Sequence, residues 1–251
     1  MLRHQPGAPG RYRQSGKKHL TLFYPPLTVD ADAVLLSQGA DPLVIRARRP
    51  HLVSLAEQAA REGALLAEPY VEWAVKNVRR FQHQSLELEG GGVLSGELIA
   101  SQLAGARQVI LGVATLGFRI EETIRELMIS DPPLGLALDG YGTAGVDELV
   151  AWACRRADDI ASQSRWNASI PISPGLIGWE LGAGQAQLFG ILKPDETRVR
   201  LMSSGQMTPR KSTTFVIGLG EAIETGVSPC AFCSVSESCR YKGSGHQNIK
   251  T

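Results

Sequence analysis

The chain has 251 residues, 43% of them hydrophobic, and its 26 Lys and Arg nearly balance its 25 Asp and Glu, which gives a formal net charge of +1. This balance argues against a nucleic-acid binder and against a polybasic membrane-surface protein, because both need a basic surface that attracts phosphate groups. The mix of apolar and charged residues is that of a globular chain long enough to bury a sizeable core.

The sequence predicts neither a membrane span nor a targeting segment. No apolar stretch approaches the ~20 residues of a transmembrane helix, and no apolar segment follows the first charged residues as it would in a secretory signal. Three of the four cysteines fall within ten residues near the C-terminal end, which is unlike the disulfide framework of a secreted protein. We therefore predict a protein of the reducing cytoplasm.

Three parts are distinguished along the chain. Residues 1–19 are rich in Arg, Lys, Pro, Gly and Gln and have no apolar period. They are predicted to be a flexible basic arm, either a solvated leader or a tail that contacts a partner. A folded domain is predicted over 20–226, and a cysteine-containing C-terminal tail over 227–251.

In the first half of the domain, apolar spacing and glycine turns predict the elements. Apolar residues recur at intervals of three and four over 51–67 and 69–81, which predicts two helices. An extended piece at 86–88 runs into a glycine turn at 90–92. Ser95 is expected to cap the helix that follows.

Two segments of the second half predict buried strands, an apolar run at 109–113 and a β-branched and aromatic run at 213–219. Helices are predicted at 120–127, from Thr143 onward, and at 185–192. Because strands and helices mix without a regular βαβ alternation, the predicted fold class is α+β.

The segment LMSSGQMTPRKS at 201–212 has the most recognisable pattern in the chain. It resembles the signature strand of the activation domain of cobalamin-dependent methionine synthase. The residues that match that strand in type and spacing are Leu201, Ser204, Met207, Pro209 and Ser212.

Three other segments extend the resemblance over roughly residues 35–241. Ser173, Pro174 and Gly175, upstream of the signature, are similar to the Pro-Gly turn of the family. The segment 113–117 and the tail from Cys230 resemble segments of free-standing family members. The order and spacing of these segments match the family.

The resemblance implies a curved, mainly antiparallel sheet with flanking helices and a shallow site for S-adenosylmethionine. In the family, this domain positions the methyl group of S-adenosylmethionine for remethylation of an oxidised corrinoid, and a low-potential electron donor completes the step. The chain has no Asp-x-His-x-x-Gly cobalamin motif. The cobalamin is therefore expected on a separate corrinoid protein or cobalamin-dependent methyltransferase.

The resemblance also implies which residues contact S-adenosylmethionine. Most belong to the turn and to the signature segment. An acidic residue on the long helix is added, for which a helix N-terminal charge that complements the dipole is the alternative. The candidates are Glu148, Ser173, Pro174, Gly175, Ser204, Met207, Pro209, Lys211 and Ser212.

Two positions depart from the family pattern. Methionine synthase has an Arg three residues before the Pro of its turn and a Tyr directly after the Gly, whereas this chain has Pro171 and Leu176. The Arg would bind the carboxylate of the ligand through charge-assisted hydrogen bonds. Arg210 and Lys211 are candidates to replace that charge, and the alternative is that they are surface residues of a turn.

Cys230, Cys233 and Cys239 form a candidate metal site. A Cys-x-x-Cys pair chelates one ion through a tight turn, and three thiolates suit zinc or an iron–sulfur cluster. Cys154, His246 or an exchangeable group would complete the ligand set, although Cys154 has the apolar spacing of a helix core. An iron–sulfur cluster, a structural zinc ion and unmetallated thiols are all open. A cluster would suit electron delivery.

The sequence therefore favours an accessory protein for the reductive reactivation and methylation of a corrinoid methyltransferase. The alternatives are a non-catalytic module that binds a corrinoid protein and a subunit of a split cobalamin-dependent methionine synthase. Glycine, serine and tryptophan positions match no phosphate loop, hydrolase triad or base-stacking surface.

Overall fold

The computed structural model describes residues 12–14, 20–234 and 236–239. Most of the predicted basic arm and the end of the predicted cysteine tail lie outside these residues, although 12–14 form a short strand. Within the described residues, no helix is both long and apolar enough to cross a lipid bilayer.

The described strands pair antiparallel throughout and form one eight-stranded sheet and one small hairpin. In chain order they are β1 (Tyr12–Gln14), β2 (Thr21–Phe23), β3 (Tyr70–Gln82), β4 (Ser85–Leu88), β5 (Val93–Ser95), β6 (Gln108–Thr115), β7 (Asn167–Ala168), β8 (Arg200–Leu201), β9 (Met207–Thr208) and β10 (Ser212–Gly220). The order across the sheet is β1-β2-β3-β6-β10-β7, β4 and β5 continue from β3 as a side arm, and β8 pairs with β9.

Helices cover both faces of the sheet. They are α1 (Ala31–Ser37), α2 (Pro42–Arg48), α3 (Pro50–Leu66), α4 (Glu97–Leu103), α5 (Phe118–Ser130), α6 (Pro132–Gln163), α7 (Leu181–Leu192) and a 3₁₀ helix (Pro229–Phe232). The predicted α+β class, with a mainly antiparallel sheet and flanking helices, is confirmed.

Strand β6 is apolar along nearly its whole length because both of its faces are buried. On one face, Ile110 packs with Phe215 and with residues of α1, α3 and α6. On the other, Leu111 packs with Val216 and with residues of α4, α7 and the β4–β5 arm. The molecule therefore has two hydrophobic cores that share one sheet. Gly112 leaves the space that the Phe215 ring occupies.

The predicted helix at 69–81 is wrong, because this segment forms β3. Val71 pairs with Phe23 of β2, and Ala74 pairs with Leu111 of β6. Both faces of the first half of β3 are buried, so apolar residues follow one another without the alternation that marks a half-buried strand. Such a run also satisfies helical spacing, and only the pairing with two neighbouring strands decides between the two structures.

The predicted helix start at Thr143 is also wrong, because α6 begins at Pro132 and continues through the glycines before Thr143. The Asp131 side chain caps its N-terminus. Glycine suits these positions because neighbouring residues approach the backbone of α6 closely and leave no room for a side chain. A Cβ on Gly142 would lie 2.8 Å from the stem of Lys211.

The other predicted elements are confirmed, with small shifts at their ends. The structure has α3, α5 and α7 where helices were predicted, and β6 and β10 where buried strands were predicted, at 51–67, 120–127, 185–192, 109–113 and 213–219. The predicted cap differs, since Ser95 lies in β5 and Gly96 occupies the N-cap position of α4.

Candidate functional site

The predicted turn at 173–175 connects β7 to α7 and is fastened to β10. Ser173 Oγ donates a hydrogen bond to the Thr214 carbonyl oxygen at 2.7 Å. The Gly175 amide donates to the Trp179 carbonyl oxygen at 2.8 Å. Gly175 has φ of 97°, which glycine adopts without strain. The turn therefore has a defined shape and a defined position beside β10.

The start of α7 packs against this turn. The exposed Glu180 carboxylate accepts hydrogen bonds from the amides of Ala183 at 2.6 Å and Gly182 at 2.7 Å. These two bonds hold the pKa of Glu180 below its ordinary value. Gly184 lies directly under Pro174, where an added Cβ would approach the proline Cβ to 2.8 Å.

The β8–β9 hairpin brings the signature segment to the same place. Gly205, at its tip, has φ of 79°. A Cβ there would lie 3.2 Å from the Cα of Gly182, so the tip contacts the start of α7. The exposed Ser204 accepts the Gln206 amide at 3.4 Å. Met207 is half-buried in β9.

The end of the signature segment joins the centre of the sheet. Pro209 is buried and follows a cis peptide bond. Ser212 Oγ donates to Thr115 Oγ1 at 2.7 Å, and Thr115 Oγ1 accepts the Gly117 amide at 3.1 Å. These contacts bring together the turn at 173–175, the start of α7, the hairpin and the first residues of β10.

Lys211 is directed toward α6. Its ammonium is 2.8 Å from the Asp139 carboxylate and 3.0 Å from Thr143 Oγ1. Only 14% of the side chain is exposed. The positive charge of Lys211 is therefore already engaged by α6, whereas Arg210 is exposed.

Glu148 forms its ion pair with a residue outside the predicted set. It lies on α6, where its carboxylate pairs with Arg155 of the same helix at 2.8 Å. The hydrogen bonds and close packing described above unite the turn, hairpin and strand but do not include Glu148.

The sequence did not predict a buried polar group beside this surface. Glu72 of β3 is 2% exposed, and its carboxylate accepts the Tyr70 hydroxyl at 2.9 Å and the Asp195 amide at 3.1 Å. Burial, followed by the Glu72 charge, raises the pKa of Tyr70 above its ordinary value. A charged residue among the apolar residues at the start of β3 is the signal that marks this group.

On the same face, Thr214 of β10 donates to the side-chain oxygen of Gln185 on α7 at 3.0 Å. The register places Tyr70, Thr115 and Ser212 side by side on three neighbouring strands. Glu72 and Thr214 lie two residues further along β3 and β10, on the same face. The sheet therefore presents a polar end toward α7.

An open cleft of about 640 Å³ lies beside the turn. Its walls come from the turn, from the starts of α4 and α7, and from the β4–β5 arm, and include Gly96, Gly175, Gly178, Trp179, Glu180 and Ala183. Trp179 is 2% exposed, and within the described chain its indole nitrogen has no hydrogen-bond partner.

The cysteine tail contacts the loop that follows the turn, because the Ile177 amide donates to the Phe232 carbonyl oxygen at 2.9 Å. Cys230 and Cys233 flank Phe232 and are half-buried. Among the described residues, no three His, Cys, Asp or Glu side chains are grouped so that they could hold a metal ion. The metal site at Cys230, Cys233 and Cys239 therefore stays a prediction. Buried Cys154 lies in α6, and His246 lies outside the described residues.

Comparison with solved structures finds the same fold. The chain is similar to the crystal structure of the MetH reactivation domain bound to AdoHcy, with a TM-score of 0.62 over 88% of this chain and 83% of that chain. The two sequences are 10% identical. No protein-family model matches the sequence, and no curated protein matches it. The predicted activation-domain fold, with its curved antiparallel sheet, is confirmed.

Proposed function

We propose that this chain helps to reactivate a corrinoid methyltransferase on a separate polypeptide, with S-adenosylmethionine as the methyl donor. The fold is that of the reactivation domain of MetH, a cobalamin-dependent methionine synthase. That domain was crystallised with AdoHcy, the product left when S-adenosylmethionine loses its methyl group. In this chain, the observation that carries the proposal is the 2.7 Å hydrogen bond from Ser173 to Thr214, which joins the turn to β10, the strand that continues the signature segment.

The proposed ligand lies along the turn and the hairpin. Gly175 is exposed and has no side chain, so a ligand can approach the backbone closely at this position. Ser204 offers an exposed hydroxyl, and half-buried Met207 offers apolar contact. This surface is shaped by Ser173, Pro174, Pro209 and Ser212.

Charge recognition would differ from that of the family. Pro171 and Leu176 supply neither a guanidinium nor a phenol, and the ammonium of Lys211 is paired with Asp139. Glu148 is the proposed partner for the ammonium or ribose of the ligand. To bind either group, Glu148 would exchange its ion pair with Arg155.

The chemistry belongs to the two bound molecules. S-adenosylmethionine would supply the methyl group to the corrinoid of the partner protein, once a low-potential donor has supplied one electron to that corrinoid, and S-adenosylhomocysteine would be released. The contribution of this chain is to hold the methyl donor in a fixed orientation beside a docked corrinoid protein. Such positioning lowers the entropic part of the barrier to methyl transfer. The expected location of the protein and its partner is the cytoplasm.

The test is a remethylation assay. The protein is mixed with a corrinoid protein held as cob(II)alamin, with S-adenosylmethionine and a low-potential reductant, and formation of methylcobalamin is followed by absorbance. We expect faster formation than without the protein. An unchanged rate would reject the proposal.

A matched pair of variants tests the proposed site. Ser173→Ala removes the hydrogen bond to Thr214 and is expected to slow remethylation. Ser101→Ala removes a local hydrogen bond to Leu98 on α4 and is expected to leave the rate unchanged. Equal rates for the two variants would place the methyl donor elsewhere.

The second candidate is a non-catalytic module that docks on a corrinoid protein, or a subunit of a split methionine synthase. Pro171 and Leu176 favour it, because they replace the Arg and the Tyr of the family's turn, and the Arg would bind the carboxylate of S-adenosylmethionine. Calorimetry separates the candidates. Binding of S-adenosylmethionine supports the methyl-donor role, whereas binding only of the corrinoid protein supports the module.

We also propose that Cys230, Cys233 and Cys239 bind zinc or an iron–sulfur cluster. This proposal rests on their spacing and on their resemblance to the tail of free-standing family members. Metal analysis and a visible spectrum of protein purified without oxygen test it. Broad absorption with bound iron indicates a cluster, stoichiometric zinc indicates a structural ion, and protein without metal refutes both.

A further inference from the structure

A second concave site lies between α5, the N-terminal half of α6 and the residues just before β10. This cleft, here called the α5–α6 cleft, has a volume of about 550 Å³. It shares no lining residue with the cleft beside the turn. Its walls combine charged and apolar side chains, namely Glu121, Ile124, Arg125, Met128, Ile129, Asp139, Arg210 and Lys211.

The charges in the α5–α6 cleft are unequally satisfied. Lys211 and Asp139 pair at 2.8 Å, and a Glu121 carboxylate oxygen accepts the backbone amide of Arg210 at 2.5 Å. The guanidinium groups of Arg125 and Arg210 form no ion pair with any described residue. Arg125 and Arg210 therefore line this cleft without an anionic partner among the described residues. Their planar guanidinium groups suit carboxylate or phosphate.

Two apolar residues of the cleft are exposed to solvent. Ile129 is 85% exposed and Met128 is 38% exposed. Both follow Arg125 closely on α5. Covering such side chains with an apolar group is favourable because it removes their surface from water. Free arginines beside exposed apolar side chains complement a molecule that has an anionic end and an apolar body.

We propose that the α5–α6 cleft binds a small organic anion, in which a carboxylate or phosphate contacts Arg125 and Arg210 and an apolar chain or ring covers Met128 and Ile129. The concave shape and the volume fall in the range of small-molecule sites, roughly 300–1,000 Å³. This cleft lies on the α5 side of the signature segment, which contributes Arg210 and Lys211, and it shares no lining residue with the cleft beside the turn.

The methionines report on the two sites independently. Met128 lines the α5–α6 cleft, whereas Met202 and Met207 lie in or beside the β8–β9 hairpin. Protein labelled with methyl-¹³C methionine is titrated with hexanoate, hexyl phosphate, hexanol and inorganic phosphate. We expect hexanoate or hexyl phosphate to shift the Met128 signal and leave Met202 and Met207 in place. The comparison of these two ligands identifies which anionic group is preferred.

Both parts of the ligand are required by the proposal. Hexanol and inorganic phosphate are each expected to bind at least tenfold more weakly than the better alkyl anion. Equal binding of hexanol would overturn the role of the arginines, and equal binding of inorganic phosphate would overturn the role of the apolar wall. A Met128 signal that no alkyl anion shifts would overturn the whole site.

Variants confirm the location. The double variant Arg125→Gln with Arg210→Gln is expected to bind the preferred alkyl anion at least tenfold more weakly. The variant Ile129→Ser, at an exposed position, is expected to bind it severalfold more weakly. Arg79→Gln, an exposed arginine on β3, is the control and should bind like the unaltered protein. Unchanged binding in both cleft variants would refute the proposal.

The result is distinguishable from that for the methyl donor. S-adenosylmethionine is expected to shift Met202 or Met207 and to bind equally well to the single variant Arg125→Gln, which changes the α5–α6 cleft outside the signature segment. A shift of Met128 by S-adenosylmethionine that Arg125→Gln abolishes would merge the two sites and overturn their separation. Failure of S-adenosylmethionine to bind would affect only the proposed function.

Discussion

At the scale of single residues, Lys211 shows how one nearly buried cation joins distant parts of the chain. Its stem passes over Gly142, and its ammonium contacts Asp139 and Thr143 of the same helix. An ammonium removed from water needs such partners, because its desolvation is unfavourable. Lys211 therefore fastens the segment before β10 to α6, which favours a structural role for it over direct ligand binding.

Replacing Lys211 by methionine keeps most of the stem and removes the ammonium. We expect Lys211→Met to lower the free energy of unfolding by about 1–2 kcal/mol, because hydrogen bonds to a shielded charge contribute more than those of an exposed pair. Urea unfolding measures the change. The control is Arg156→Met, which breaks an exposed pair with Asp159 and should cost less than about 0.5 kcal/mol. Equal losses would contradict the structural role.

Glu180 gives a prediction about pH. Its pKa is lowered by the hydrogen bonds from the Ala183 and Gly182 amides, so the folded state favours the charged carboxylate. The stabilisation is complete above the ordinary pKa of a glutamate and is lost as the pH falls through the lowered folded-state value. The unaltered protein should therefore exceed Glu180→Gln in urea midpoint near pH 7, and the difference should shrink toward pH 3. A difference that grows with acidification would show that the cap is misassigned.

At the scale of elements, close approach explains where glycines interrupt otherwise regular structure. Gly112 lies in the middle of β6, where a side chain would overlap the ring of Phe215 on the neighbouring strand. Glycine weakens a strand by itself, so its presence here indicates a packing requirement.

Adding one methyl group to β6 should therefore be unfavourable. We expect Gly112→Ala to cost about 1–3 kcal/mol, because the Phe215 ring must leave its position to make room. Gly190→Ala in α7 is the matched control. A Cβ at Gly190 meets no atom within 4 Å, so this change should be neutral or stabilise the helix by up to about 1 kcal/mol. Thermal unfolding of both variants makes the comparison, and a similar loss in both would contradict it.

The elements also show which parts of the fold the sequence predicts. Helix α3 and strands β6 and β10 follow from local apolar spacing and β-branched composition. Strand β3 and the first turns of α6 do not, because their structure depends on neighbours. Two partner strands bury both faces of β3, and residues such as Lys211 fit against the glycines of α6. Tertiary contacts override local preference in both cases.

The candidate site divides in the same way. The turn at 173–175 and the signature hairpin are identified from sequence and meet in the structure. Glu72 and Tyr70 are not identified, because β3 was predicted as a helix and its register with β6 was unknown. The pairing of Lys211 with Asp139 depends on the path of α6 and has no local sequence signal either.

At the scale of the whole molecule, one sheet serves two cores, and this arrangement predicts a single cooperative unfolding transition. Ile110 and Leu111 are fully buried neighbours on opposite faces of β6. We expect Ile110→Ala and Leu111→Ala each to cost about 2–5 kcal/mol and to lower the same transition, because loss of either core exposes the shared sheet. Circular dichroism and tryptophan fluorescence measured on the same samples should coincide. Separate transitions for the two probes would mean that the cores unfold independently.

The hydrogen bond from the Ile177 amide to the Phe232 carbonyl has a practical consequence. It couples the backbone two residues past Gly175 to a segment whose half-buried thiols, Cys230 and Cys233, accept chemical labels. A spin label or fluorophore on either cysteine, in a variant without the other thiols, would sense rearrangement of the turn directly. Ligand binding at the turn would then become measurable in real time, without a corrinoid partner or any turnover.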